Sequence, residues 1–225
     1  IAALPIKKNT FAIEIPWVIV ITVILLVLGI NGSVISFVDG LILCGLMAIF
    51  MVYLIIQAKN GESDDESTEL TEKDTMLKLL VFVVIGIVCI VVGSNVTVDA
   101  ASYVAEKCGM SSRLIGLTIV AFGTSLPELV TSATAAKRGK VDIAIGNIVG
   151  SNIFNILFVV GVSALITPVA FAAEFVKDTI VAIAAAVLLF VCVIKGRQLT
   201  RAGGIVMLIC YAVYFAYILV ANYAA

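Results

Sequence analysis

Stretches of about twenty almost purely apolar residues recur along this chain, and the solvent that accommodates so many of them is the interior of a lipid bilayer. Candidate spans lie near residues 15–31, 34–57, 77–98, 114–134, 143–166, 179–194 and 202–223. With 62% hydrophobic and 13% charged residues, the chain is far more apolar than a soluble domain. Lipid offers no hydrogen bonds to open backbone, so each span is expected to be helical. The expected fold class is all-α integral membrane, with seven transmembrane helices.

Lysine and arginine give the orientation. If the first span is entered from the cytoplasm, Lys7, Lys8, Lys59, Lys73, Lys78, Lys137, Arg138, Lys140, Lys195, Arg197 and Arg201 all fall inside. Lys107, Arg113 and Lys177 alone fall outside. The N-terminus is then cytoplasmic and the C-terminus external. Ile1 is not an initiator, and the span after Lys7 and Lys8 is too long for a cleaved signal core, so the sequence reads as a piece of a longer protein. The cysteines show no CxxC metal spacing, with only Cys108 outside a span, and a net charge of -1 gives no sign of nucleic-acid binding.

Sliding the chain on itself by 164 residues aligns 15–57 with 179–221 without a gap, matching Gly32 with Gly196, Gly40 with Gly204 and Tyr53 with Tyr217. By the orientation above, the two copies cross the membrane in opposite senses, the pattern of an inverted repeat. The second copy is preceded by three spans that the first lacks. This implies ten helices, five plus five, of which the chain holds the C-terminal seven. Its parts are 1–57, the last two spans of the first half; 58–75, an acidic cytoplasmic linker; and 76–225, the second half. The stretch QAKNGESDDESTELTEKD at 57–74 lacks the acid order of an EF-hand loop and reads as a solvated linker, ending in a capping box at Thr71 and Asp74.

One span is chemically unlike the rest. GTSLPELVTS, residues 123–132, carries the only carboxylate near the middle of any span, Glu128, and an ionisable group there is a functional candidate by default. Pro127 has no amide hydrogen, so the Gly123 carbonyl loses its helical partner and backbone oxygen around Ala121 to Gly123 opens toward a cavity. Thr124, Glu128 and Thr131 are spaced to share one face, flanked by Ser125. In the next span GNIVGSNIFN, residues 146–155, repeats Asn147, Ser151 and Asn155 every fourth residue, with Gly146 and Gly150 forming a GxxxG face. Two such stripes on neighbouring helices can meet. Hydroxyl, amide, carbonyl and carboxylate oxygen without histidine suits hard cations such as Na⁺ and Ca²⁺. Polar residues also glue membrane helices together, and Asn147, Asn152 and Ser132 fit that role as well as a site.

GTSLPELVTS followed by GNIVGSNIFNIL resembles the second alpha-repeat of the cation/Ca²⁺ exchanger superfamily, the sodium/calcium exchanger proteins, most closely the prokaryotic calcium/sodium antiporters. The resemblance covers the second half fully, with the alpha-repeat at 112–166, and the first half through its last two spans. It implies an antiporter of the inner membrane that works by alternating access, with ions bound at the midplane between two alpha-repeats and no cofactor beyond the transported Ca²⁺ and Na⁺. Carried over, Glu128 would be one of two central carboxylates, Ala121 would supply a backbone carbonyl, and Thr124, Ser125 and Ser151 would add oxygen ligands for sodium. Asn155 stands where some members have aspartate, and an amide cannot carry a proton. The partner carboxylate would belong to the first alpha-repeat, which is missing. The span at 77–98 and its missing counterpart would be the moving helices.

A Ca²⁺/H⁺ or K⁺-dependent exchanger on the same scaffold is the nearer alternative. A seven-helix receptor or retinal protein is distant, since 202–223 holds no lysine for a Schiff base. A serine protease is excluded, because the chain has no histidine.

Overall fold

The computed structural model describes residues 4–59, 76–109 and 115–223. Most of the acidic linker, including Thr71 and Asp74, lies outside the described residues. Six continuous helices are long and apolar enough to cross a membrane: Thr10–Ile30, Phe37–Lys59, Leu80–Lys107, Val141–Ile166, Ala173–Ile194 and Arg201–Val220. The expected span at 114–134 is not one helix. It consists of a π-helical turn at Gly116–Val120, the short helix α4 (Ala121–Thr124) and α5 (Leu126–Lys137), separated at Ser125.

The other helices are α1 (Ile15–Ile30), α2 (Phe37–Lys59), α3 (Met76–Lys107), α6 (Val141–Phe154), α7 (Gly161–Ile166), α8 (Ala173–Ile194) and α9 (Arg201–Tyr223). A π-helical turn at Asn155–Val160 joins α6 to α7, and another at Thr10–Glu14 leads into α1. The chain divides into two compact units, Ile1–Asn60 with Ser132–Tyr214, and Gly61–Thr131 with Phe215–Ala225.

In the first unit α1 packs on α8 and α2 packs on α7. Ile15, Ile21, Ile35, Leu43, Ile153, Leu157 and Val193 are its fully buried large side chains. Outward positions are also apolar. Residues such as Val38, Ile49 and Ile180 are exposed, as a surface facing hydrocarbon requires and a surface facing water forbids.

Four two-residue strands fasten the ends of this unit. β1 (Leu4–Pro5) pairs with β4 (Gln198–Leu199), and β2 (Val34–Ile35) pairs with β3 (Val169–Ala170), both antiparallel. Since β1 precedes α1 and β4 follows α8, while β2 follows α1 and β3 precedes α8, the two helices run in opposite directions. The two fastenings are copies of one another. Ile6 N–H donates to the Arg197 carbonyl at 2.8 Å, and Phe171 N–H donates to the Ser33 carbonyl at 2.8 Å. Ser33 and Arg197 are the two non-glycine residues with left-handed backbone, at φ 56° and 50°, and they stand 164 residues apart.

The helices that follow match as well. α2 covers 37–59 and α9 covers 201–223, the same bounds in the 164-residue register. Each starts on a hydroxyl cap that satisfies amides the first turn leaves open. At α2, Ser36 N–H and Oγ donate to Asp39 Oδ2 at 2.8 and 2.6 Å. At α9, Gly203 N–H donates to Thr200 Oγ1 at 3.2 Å. A repeat that the sequence carries mostly as matched apolar residues is therefore repeated in backbone geometry. Tyr214 of α9 donates to Asp178 Oδ1 of α8 at 2.6 Å, a charge-assisted bond that ties the last two helices together.

Candidate functional site

Pro127 decides where the fourth expected span stops being a single helix. It offers no N–H to the Gly123 carbonyl four residues earlier, and Ser125 N–H turns back to the Phe122 carbonyl at 3.1 Å. Ser125 sits at φ −95°, ψ 1°, outside helical geometry. The helix restarts at Leu126, so Pro127 occupies a first turn, where a missing N–H breaks no intrahelical bond. It initiates α5 and does not kink a continuous helix. Glu128 falls in the same first turn, where the helix dipole favours negative charge.

Ala121 opens α4, Thr124 closes it and Ser125 forms the break, so every candidate from Ala121 to Glu128 belongs to this interruption. Thr124 and Ser125 are exposed and Glu128 is half-buried. The four-residue spacing from Thr124 to Glu128 runs across the break, so it is not a spacing along one helix. Thr131 remains one turn from Glu128 on α5.

Gly123 explains why no side chain stands at the end of α4. It is buried, and a Cβ there would overlap Cγ2 of Val98 on α3. Gly123→Ala should cost about 1–3 kcal/mol by overpacking a stiff β-branched neighbour. The double variant with Val98→Ala should recover most of that in a thermal melt. Equal losses in the single and double variants would show that the contact is not the cause. The groove of about 580 Å³ alongside is lined by Ile119, Phe122, Leu126, Phe215 and other mainly apolar side chains, which suit hydrocarbon and not ions.

The second polar stripe belongs to the other unit. Ser132 Oγ donates to the Ala144 carbonyl at 3.2 Å and accepts from Asn147 Nδ2 at 3.0 Å, which locks the end of α5 to α6. Asn147 and Ser132 thus act as interhelical glue. Ser151 Oγ donates to the Ile148 carbonyl of its own helix at 3.1 Å, as does Asn152 Nδ2 at 2.8 Å. A hydroxyl whose proton is held this way keeps its lone pairs for a cation. Asn155 starts the π-helical turn, a local irregularity that frequently marks functional positions. Around Gly146 and Gly150 no described atom lies within 4 Å of a built Cβ, so the GxxxG face makes no close helix contact among the described residues.

Comparison with known proteins fits this set of oxygen donors. The profile of the sodium/calcium exchanger protein family matches residues 78–220. The chain is 34% identical over 223 residues to CaxA of Alkalimonas amylolytica, a match covering 95% of this chain and 68% of that one. It is 37% identical over 132 residues to the sodium/calcium exchanger MaX1 of Methanosarcina acetivorans, covering 58% of this chain and 38% of that protein. Among solved structures, the sodium/calcium exchanger from Methanococcus jannaschii matches with a TM-score of 0.75 at 31% identity, over 94% of this chain and 66% of that one. The chain thus spans about two thirds of the length of the relatives it follows throughout. By profile, by identity along nearly its whole length and by fold, this integral membrane chain belongs to the sodium/calcium exchanger protein family.

Proposed function

We propose that the complete protein exchanges Na⁺ for Ca²⁺ across the membrane by alternating access. Glu128 carries this conclusion: a carboxylate in the first turn of a helix that restarts inside an apolar segment, with Thr124 and Ser125 at the break. A negative charge in hydrocarbon is costly unless a cation compensates it, and a transported cation supplies that compensation reversibly. Thr124, Ser125 and Ser151 add hydroxyl oxygen, Ala121 a backbone carbonyl and Asn155 an amide oxygen, a hard-cation set that both Na⁺ and Ca²⁺ accept. The stripe bearing Ser151 and Asn155 and the break bearing Glu128 together form this half of the ion cluster. Neutral oxygens outnumber the carboxylate, so several singly charged sodium ions and one doubly charged calcium ion can compete for overlapping positions.

The repeat at 164 residues supports a whole protein of ten helices in two inverted halves, with seven crossings in this chain if the interrupted segment counts as one. The N-terminus of the chain is then cytoplasmic, its C-terminus external, and the membrane is the prokaryotic inner membrane. α3 and its counterpart in the first half are the moving helices.

The test is ⁴⁵Ca²⁺ uptake into proteoliposomes holding the complete protein. An outward Na⁺ gradient should drive uptake at constant pH, and a pH gradient in Na⁺-free medium should not. Uptake under the pH gradient alone would replace sodium by protons as the coupling ion, and a strict K⁺ requirement would point to the potassium-dependent variant.

A further inference from the structure

A glycine with a purpose and its copy with none stand in equivalent places. On α2, a Cβ at Gly40 would come within 2.8 Å of the Gly161 carbonyl oxygen and 3.0 Å of the Ala164 Cβ, both on α7. Gly161 in turn leaves room for Cys44, whose Sγ would lie 2.9 Å from a Cβ there. Small residues on both sides let these helices cross at backbone distance. In the 164-residue register Gly40 matches Gly204 of α9, where no described atom lies within 4 Å. Gly204 instead lines an apolar groove of about 510 Å³ with Leu4, Leu199, Ile205, Met207 and Leu208.

The copied strand pairs identify what fits that groove. α7 leads into β3, and β3 is the image of β1, because the pairing of β1 with β4 repeats that of β3 with β2 residue for residue. The image of α7 is therefore the segment leading into β1, and it should cross α9 as α7 crosses α2. We propose that the groove beside Gly204 is the docking surface for a helix of the same polypeptide, the one that runs into Leu4, and that Gly204 is its crossing point. This rests on the ten-helix reading given above. The occupant is an apolar helix with glycine, alanine or serine about five residues ahead of Ile1, at the image of Gly161.

Three glycine-to-leucine variants of the complete protein test this, each gaining the same helix propensity. Gly40→Leu and Gly204→Leu should each lower the thermal midpoint by about 2–10 °C, or prevent folding. Gly45→Leu should change it by less than about 2 °C, since Gly45 has nothing within 4 Å and its image, Ile209, is already large and exposed. The milder Gly204→Ala should fall between wild type and Gly204→Leu. A midpoint for Gly204→Leu that tracks Gly45→Leu would show that the groove faces lipid and would overturn the proposal, as would a bulky or charged residue at the upstream crossing position. Transport is scored separately, as Na⁺-driven ⁴⁵Ca²⁺ uptake by the wild type. Lost uptake with a destabilised Gly204→Leu would sink the exchange reading and leave the docking surface standing.

Discussion

Replacing Glu128 with glutamine should abolish Na⁺-dependent Ca²⁺ flux in the complete protein while leaving membrane insertion intact. Glutamine keeps the shape and one carbonyl oxygen of the side chain, so what it removes is the negative charge. Removing one partner of a desolvated charge pair costs about 3–5 kcal/mol, because the other charge is left uncompensated. For a bound Ca²⁺ that corresponds to a loss of affinity of two to three orders of magnitude, roughly a factor of ten for each 1.4 kcal/mol. The ion-free protein should melt no lower than wild type, since a neutral amide in a half-buried first turn is easier to desolvate than a carboxylate. Glu128→Asp retains the charge on a stem one methylene shorter and should keep measurable flux with weaker Ca²⁺ affinity. Near-normal uptake in Glu128→Gln would sink the site assignment. So would equal losses in the glutamine and aspartate variants, since they would point to shape and not to charge.

Much of this architecture is legible in the sequence because lipid leaves the backbone few choices. Apolar runs become helices, and the 164-residue register reappears as matched bounds for α2 and α9. Helix lengths are less legible. α8 begins at Ala173, ahead of the apolar run at 179–194, because a helix satisfies its own backbone whether its side chains meet water or lipid. Asp178, which sequence alone places among solvated span-end acids, is held by Tyr214, a partner 36 positions away that no local pattern names. The break around Glu128 is half legible. Pro127 announces an irregularity, but a kink and a fresh start look alike in sequence, and Ser125 N–H settles on a closer carbonyl once the helix ahead of it ends. Val98 is invisible from sequence as the reason for Gly123, since α3 reaches it only through tertiary packing. The hydrogen bonds from Asn147 to Ser132 and from Ser132 to Ala144 likewise appear only once α5 and α6 are placed side by side.

The 225 residues alone should insert and melt cooperatively yet transport nothing. Glu128 is the one carboxylate near the middle of a span, and it offsets only half the charge of Ca²⁺. A doubly charged ion left with a net positive charge in a low-dielectric site faces a desolvation penalty that neutral hydroxyl and carbonyl oxygens do not repay. Sodium is different, because a single carboxylate neutralises it fully. The same chain should therefore bind Na⁺ weakly while failing to take up Ca²⁺. In proteoliposomes, ⁴⁵Ca²⁺ uptake driven by a Na⁺ gradient should stay at the level of protein-free vesicles. Co-expression with the first half should restore it, because the second charge is expected from the first alpha-repeat. A monodisperse, cooperatively melting preparation of the 225-residue chain is the control that separates missing ligands from misfolding. Uptake by that preparation without the first half would mean that one carboxylate suffices, and the two-repeat ion cluster would have to be abandoned.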